Sequence, residues 1–230
     1  MHIEMDARIA IVIPVYNEAA VIGEVLAEIG ETGNFSIIVV DDGSVDESFV
    51  QASVHGALAL RHRINRGKGA AVKTGIMAAN LLEPDVVVTM DGDGQHNPAD
   101  IDPLIRPILD GNADVVLGSR TLKRDEMPRI KVVANSCGNF FTWLLYGIWV
   151  SDSQSGFRAY SKYAALIIDT KADKYEYDSK VIREIKTNRL KYAEIPVQTR
   201  YTEYSQGKTQ KQGVVNGLIT LFRMIWHTLT

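Results

Sequence analysis

Asp91, Asp93 and Gln95 stand at alternate positions in Met90-Asp91-Gly92-Asp93-Gly94-Gln95-His96, which puts three oxygen donors on one turn. Hard divalent cations take such donors, and Mg2+ keeps to one or two carboxylates while waters and substrate phosphates complete its shell. The pattern suits a metal bound together with a phosphorylated substrate. An isolated triplet of this kind is more often a solvated Asp-Gly turn; a position directly after a buried strand reverses that preference. Two other motifs do not account for it. An EF-hand would need Gly where the chain has His96 and Glu where it has Asp102, and a P-loop ending at Gly207-Lys208-Thr209 would need its first glycine at Thr202.

Further polar motifs carry two readings each. The carboxylates of Asp41-Asp42 can accept hydrogen bonds from a nucleotide base or ribose, or Asp42, Ser44 and Asp46 can cap the helix that follows. Asn65-Arg66-Gly67-Lys68-Gly69 opens a helix and either holds phosphate or is a tight turn.

The elements that must position these residues follow from hydrophobic periodicity. Runs at 9–15, 36–40, 57–61, 86–90 and 114–117 predict strands, and 19–29, 46–54, 69–82 and 99–109 predict helices between them. Such alternation predicts an α/β fold with a mostly parallel sheet covered on both faces. Ligands of these sheets bind beyond the carboxyl ends of the strands. The motifs Pro14-Val15-Tyr16-Asn17-Glu18, Asp41 to Ser44, Asp91 to His96 and Gly118-Ser119-Arg120 all follow strands directly. After Arg120 come a predicted helix at 132–146, a turn-rich loop from Ser151 to Arg158, helices at about 162–168 and 177–188, and a short strand ending at Pro196.

Composition bounds the rest. The chain has 230 residues, 46% hydrophobic and 23% charged, enough for a substantial core, and no linker divides it. A net charge of -3 gives no global attraction to nucleic acid, so anion binding must be local. Cys137 is the only cysteine, which excludes a disulfide scaffold and fits a reducing cytosol. No signal peptide is recognisable, and the most apolar segment, 140–150, is shorter than the roughly 20 residues of a membrane span.

Together the motifs resemble family 2 glycosyltransferases of the GT-A fold, a Rossmann-like sheet, and more narrowly their polyprenyl-phosphate branch, similar to dolichol-phosphate mannose synthase. The resemblance rests on 13–18, 39–44, 65–69, 90–96, 118–120, and Asp152 with Ser155-Gly156-Phe157-Arg158, and covers nearly the whole chain. It implies one domain over 1–230, with a nucleotide-sugar part at about 7–120, an acceptor part with a mobile loop at 121–212, and an amphipathic helix at 213–230. It implies that Pro14, Tyr16, Glu18, Val40, Asp42, Gly92, Arg200 and Lys208 bind the nucleotide sugar. Asp91, Asp93 and Gln95 would hold Mg2+ or Mn2+. Arg120, Lys131, Asn135 and Arg158 would meet the acceptor phosphate, and Asp91, Asp93, Arg120 and Asp152 would carry the chemistry. Lys131 and Asn135 stand where the branch usually has Arg and Ser, and a lysine binds phosphate as a point charge without the bidentate fork.

The implied reaction is an inverting sugar transfer from a UDP- or GDP-linked donor to a polyprenyl phosphate. A phosphate monoester, with its second pKa near ~6, is already ionised at neutral pH and needs no base. A sugar hydroxyl would need one, and Asp152 is then the candidate. The rival enzyme class is a haloacid-dehalogenase-like phosphohydrolase, which also sets Asp-x-Asp after a strand but near its N-terminus; the non-enzymatic rival is a membrane-associated module. Between 214 and 230, Asn216, Thr220, Arg223 and His227 form a narrow polar stripe on an apolar helix that packs on its own domain or lies on a membrane. The expected location is the cytoplasmic face of a membrane.

Overall fold

The computed structural model describes residues 7–120, 129–173, 176–200 and 204, and only the backbone of 129–135 and 137. Strands β1 (Ile9–Val15), β2 (Ser36–Asp41), β3 (Leu58–Arg61), β4 (Val86–Thr89), β5 (Val115–Ser119), β6 (Arg158–Ser161) and β7 (Tyr192–Pro196) form one sheet in the order β3-β2-β1-β4-β6-β5-β7. All pairings are parallel except those of β6, which runs antiparallel to both β4 and β5. The carboxyl ends of β1, β2, β4 and β5 therefore lie on one edge, with the polar motifs that follow them.

Helices α1 (Ile22–Thr32), α2 (Ser48–Val54), α3 (Lys68–Leu81), α4 (Ile101–Leu109), α5 (Arg129–Tyr146), α6 (Lys162–Ile167) and α7 (Glu176–Thr187) cover the sheet. Alternation along β1 divides the core. Ala10 and Val12 face α3, α6 and α7, while Ile9, Ile11, Ile13 and Val15 face α1, α2 and α4. With both faces covered, β1 reads as an unbroken apolar run. Ile22, Val25, Leu26 and Ile29 recur at helical spacing and bury the inner stripe of α1.

Three features depart from the expectations. β6 falls where the turn-rich loop ends, because a four-residue strand with Arg and Ser at its termini carries no apolar run. The helix expected from residue 19 begins at Ile22, since the Glu18 carbonyl accepts the Val21 and Ile22 amides in a turn ahead of it. Of Asp42, Ser44 and Asp46 only Asp46 meets the start of α2, its Oδ1 accepting the Ser48 amide at 3.0 Å, while Glu47 at the N-cap position makes no side-chain bond. The expected helix at 213–230 lies outside the described residues.

Gly75 sets the spacing between α3 and the sheet. A Cβ there would stand 2.2 Å from Val12 Cγ1 and 3.2 Å from Val40 Cγ2. Glycine within an exposed helix costs about 1 kcal/mol relative to alanine, but here the added methyl overpacks the core. Gly75→Ala is expected to destabilise the chain by about 1–3 kcal/mol, seen as a lower urea midpoint; a raised midpoint would contradict this packing.

Candidate active site

The edge is built by acidic turns tied to one another. After β2, the Asp41 side chain is fully buried; it accepts the Ser44 amide at 2.8 Å and pairs with Arg61 Nε at 3.1 Å. Ser44 Oγ accepts the Asn17 amide, Ser48 Oγ the Glu18 amide, and Asp46 Oδ2 the Ala19 amide, so the β2 loop holds the β1 loop. Asp42 Oδ1 accepts the Arg66 amide at 3.0 Å and meets His62 Nδ1 at 2.7 Å, while its Oδ2 accepts the Gly67 amide at 2.7 Å. The expected base or ribose ligand thus shapes the 62–67 loop that leads into α3.

That loop delivers Lys68 to the acidic turn after β4. Its ammonium lies 2.8 Å from Asp91 Oδ1 and 3.4 Å from Asp178 Oδ2 on α7. Burial alone would push the Lys68 ammonium down, yet the carboxylates of Asp178 and Asp91 outweigh it and hold it above the ordinary lysine range. Burial likewise raises Asp91, but Lys68 and His96 reverse the sign and keep its carboxyl well below the usual carboxylate range. His96 is buried, with Nε2 3.5 Å from Asp91 Oδ2 and its ring 4.9 Å from that of Phe157. Asp93 receives both the Gln95 amide (3.0 Å) and Gln95 Nε2 (2.8 Å), so Gln95 orients Asp93. Gly94 makes the turn at φ 76°, the left-handed region glycine adopts without strain.

Across the edge, β5 is followed by Arg120, whose Nε and Nη2 donate to Asp152 Oδ2 (2.8 Å) and Oδ1 (2.9 Å), with the Arg120 amide adding a third bond at 3.1 Å. Such a fork is the strong form of a carboxylate pair. Asp152 outweighs the burial that would lower Arg120 and raises it, with Asp91 and Asp178 contributing. The Asp152 side chain is 0% exposed against 27% for Arg120. Its loop is held by Asn139, which donates to the Ser151 carbonyl and accepts the Ser153 amide, and by Glu194, which accepts the Ser151 amide and hydroxyl.

The structure brings Asp91, Asp93, Gln95, Arg120 and Asp152 to this edge, with Pro14 and Tyr16 half-buried beside buried Glu18 on the β1 loop. Tyr204 reaches the same loop, its hydroxyl donating to Glu18 Oε2 at 3.0 Å with the Asn17 carbonyl also within reach at 3.3 Å. Gly92 is buried against β1, where a Cβ would meet Val15 Cγ1 at 2.6 Å. Three further expected ligands have these surroundings. Val40 is 0% exposed in the core on the α3 side and offers the edge no side-chain surface. Arg158 is 1% exposed, donating to the Ser153 and Asp178 carbonyls beneath the edge instead of standing open to an acceptor phosphate. Arg200 is spent on Glu28 (2.6 Å) and Asn97 (2.7 Å), and its amide bonds the Gln95 carbonyl. Lys208 and the side chains of Lys131 and Asn135 lie outside the described residues.

Two residues to which the sequence assigned no role beside Asp91 belong here. Lys68 carried a signal, a lysine between two glycines at a helix start; Asp178 carried none, since α7 is remote in sequence from every motif it meets.

Among the described residues no three or more His, Cys, Asp or Glu side chains gather as a metal cage. Two carboxylates on one turn, with Asp91 kept anionic, fit a hard divalent ion that shares its shell with substrate oxygens.

The chain's relatives agree with this architecture. Residues 10–166 match the model of Glycosyl transferase family 2. An uncharacterized protein of Methanocaldococcus jannaschii, MJ1222, is 41% identical, over 96% of this chain and 93% of its own. The UDP-N-acetylglucosamine–dolichyl-phosphate N-acetylglucosaminyltransferase of Methanococcus voltae is 36% identical over 88% of this chain and 90% of its own. Glucosyl-3-phosphoglycerate synthase of Mycobacterium tuberculosis, solved with UDP, superposes with a TM-score of 0.73 at 21% identity, over 95% of this chain and 80% of that one, which shows a shared fold. With its motifs at the strand ends of this sheet and a family match from β1 into α6, the chain belongs to glycosyl transferase family 2 and is a glycosyltransferase.

Proposed function

We propose that the chain transfers a sugar from a nucleoside-diphosphate donor to the phosphate of a polyprenyl phosphate at a membrane surface. The Methanococcus voltae relative, whose name specifies a dolichyl-phosphate acceptor, supports the acceptor class. The observation that carries the reading is the Arg120–Asp152 fork. A buried carboxylate held by two guanidinium bonds and a backbone amide is engaged as an orienting partner, which disfavours Asp152 as the base that a sugar hydroxyl would need. The same fork leaves Arg120 partly exposed at the edge, oriented for a phosphate that arrives already ionised.

In this reading one phosphate oxygen attacks the anomeric carbon while the bond to the diphosphate breaks on the opposite face, inverting the linkage. Asp91 and Asp93 would hold Mg2+ or Mn2+, which supplies Lewis-acid neutralisation of the leaving diphosphate. Lys68 adds a fixed positive charge beside Asp91, and Gln95 keeps Asp93 oriented. Pro14, Tyr16 and Glu18 border the donor side, and Lys208 belongs to the same proposal. Among the described residues no helix is long and apolar enough to cross a membrane.

A screen of UDP- and GDP-sugars against a short polyprenyl phosphate, with and without Mn2+, tests the reading by release of nucleoside diphosphate. No release with any pair would sink it. Asp91→Ala is expected to lower turnover by about 100-fold or more. Asp152→Asn should keep measurable turnover while raising the acceptor KM by roughly tenfold, the loss of one charged hydrogen-bond partner; complete inactivity with an intact fold would restore Asp152 as the base.

Gly156 gives a second test. A Cβ there would meet Lys68 Nζ at 2.6 Å and the Asp91 carboxylate oxygens at 2.9 and 3.0 Å. These are side-chain ends that can move, so Gly156→Ala should leave the unfolding midpoint nearly unchanged while cutting turnover by roughly tenfold or more through misplaced groups.

The pH profile has a defined sign. Asp91 is held well below the usual carboxylate range, so its charge persists as pH falls past the acceptor's titration. Activity is expected to fall below about pH 6 as the acceptor phosphate gains its second proton. An acid limb that persists unchanged with a phosphonate acceptor of shifted pKa would assign the titration to the protein instead.

A further inference from the structure

The acidic turn after β4 carries a cation of its own. Lys68 Nζ lies 2.8 Å from Asp91 Oδ1 and 3.1 Å from Asp91 Oδ2, so one ammonium spans both oxygens. On its other side the ammonium meets Asp178 Oδ2 at 3.4 Å, and Asp178 Oδ1 is 3.7 Å from Arg158 Nη2. Gly156 closes over the group, where an added Cβ would stand 2.6 Å from Nζ. The charges of Lys68, Arg120 and Arg158 are thus matched by those of Asp91, Asp152 and Asp178. Among the described residues Asp93 is in no ion pair, and its donors are the uncharged amide groups of Gln95.

We propose that Asp91 is exchanged between Lys68 and the divalent ion, with the ammonium passing to the donor diphosphate while Asp178 keeps hold of it, so that tight metal binding requires the diphosphate. A divalent ion arriving alone meets one unopposed carboxylate, Asp93, and an ammonium already on Asp91. Like charges a few ångströms apart repel strongly in a partly buried site. No cage of three or more His, Cys, Asp or Glu side chains among the described residues offsets that repulsion. The diphosphate supplies both the missing oxygens and a second partner for Lys68. Burial opposes a charged lysine, yet Asp178 and Asp91 hold Lys68 above the ordinary lysine range, so its charge persists throughout. Asp178 acts as a positioning residue: it gives the ammonium a seat when Asp91 is taken. The exchange accompanies binding and is complete before the reaction. The inference rests on the reading of Asp91 and Asp93 as holders of the divalent ion.

Mn2+ binding to the full chain is followed by the paramagnetic resonance of free Mn2+, alone and with UDP or GDP, corrected for Mn2+ held by nucleotide in buffer. In the parent chain one of the nucleotides is expected to tighten Mn2+ binding by roughly 10-fold or more. Lys68→Met should tighten binding without nucleotide by roughly 10-fold and shrink the nucleotide effect by the same factor. Asp178→Asn should act in the opposite sense, weakening Mn2+ alone, because Lys68 then leans on Asp91 without a second acid. Lys162→Met, which loses a 3.9 Å pair with Glu83 at the far end of β4, should match the parent. Equal or weaker Mn2+ binding in Lys68→Met without nucleotide overturns the exchange and leaves the metal reading standing. So does tight binding by the parent that neither nucleotide changes. No Mn2+ binding by the parent in any state overturns both. Should Lys68→Met not fold, the charge-balanced pair Lys68→Met with Asp178→Asn carries the test. It should bind Mn2+ alone more tightly than Asp178→Asn, and equal binding overturns the exchange.

Discussion

The active edge depends on compensation of charge between elements distant in sequence. Strand ends in a parallel sheet collect carboxylates, here Asp41, Asp42, Asp91 and Asp93, and partly buried carboxylates without partners would gain protons or open the edge to water. Arg61 pairs with Asp41, His62 and two backbone amides hold Asp42, Gln95 holds Asp93, and Lys68 from the start of α3 pairs with Asp91 and with Asp178 from later in the chain, while Arg120 after β5 is pinned by Asp152. The cations are therefore fixed in position before any substrate arrives. Preorganised charge of this kind is worth more than mobile charge, because no reorganisation accompanies the reaction.

The later half of the chain serves the same purpose by a different route. β6 enters the sheet antiparallel between β4 and β5, which carries the Ser151–Phe157 loop up to the edge where Asp91 and Arg120 stand. Gly156 at the end of that loop passes so close to Lys68 and Asp91 that no side chain fits without displacing them. Arg158 then ties the loop to α7 through the Ser153 and Asp178 carbonyls. Its burial makes it a brace between the two sides of the site, and Arg120 remains the exposed cation of the pair.

The alternation of apolar runs and helical stripes was enough to read the parallel core, because β1, β2 and β4 are buried on both faces and helix periodicity is local. The edge motifs were legible for the same reason: each follows its strand directly. What escaped depends on tertiary contacts that leave no local pattern. β6 is four residues long and begins with an arginine whose partners lie on α7 and in the preceding loop. Val40 continues a strand that reaches the edge, yet its pleat turns it into the core against Gly75. The bond from Gln95 Nε2 to the neighbouring Asp93 carboxylate likewise has no sequence signal.

The central claim is that a phosphate, brought to Arg120, is the nucleophile. The most direct measurement compares a short polyprenyl phosphate with the same prenol lacking its phosphate, with the product linkage read by phosphorus and proton NMR. The account predicts a sugar phosphodiester of inverted configuration from the first and no product from the second. Transfer to the prenol hydroxyl, or a product that retains the donor's configuration, would contradict it.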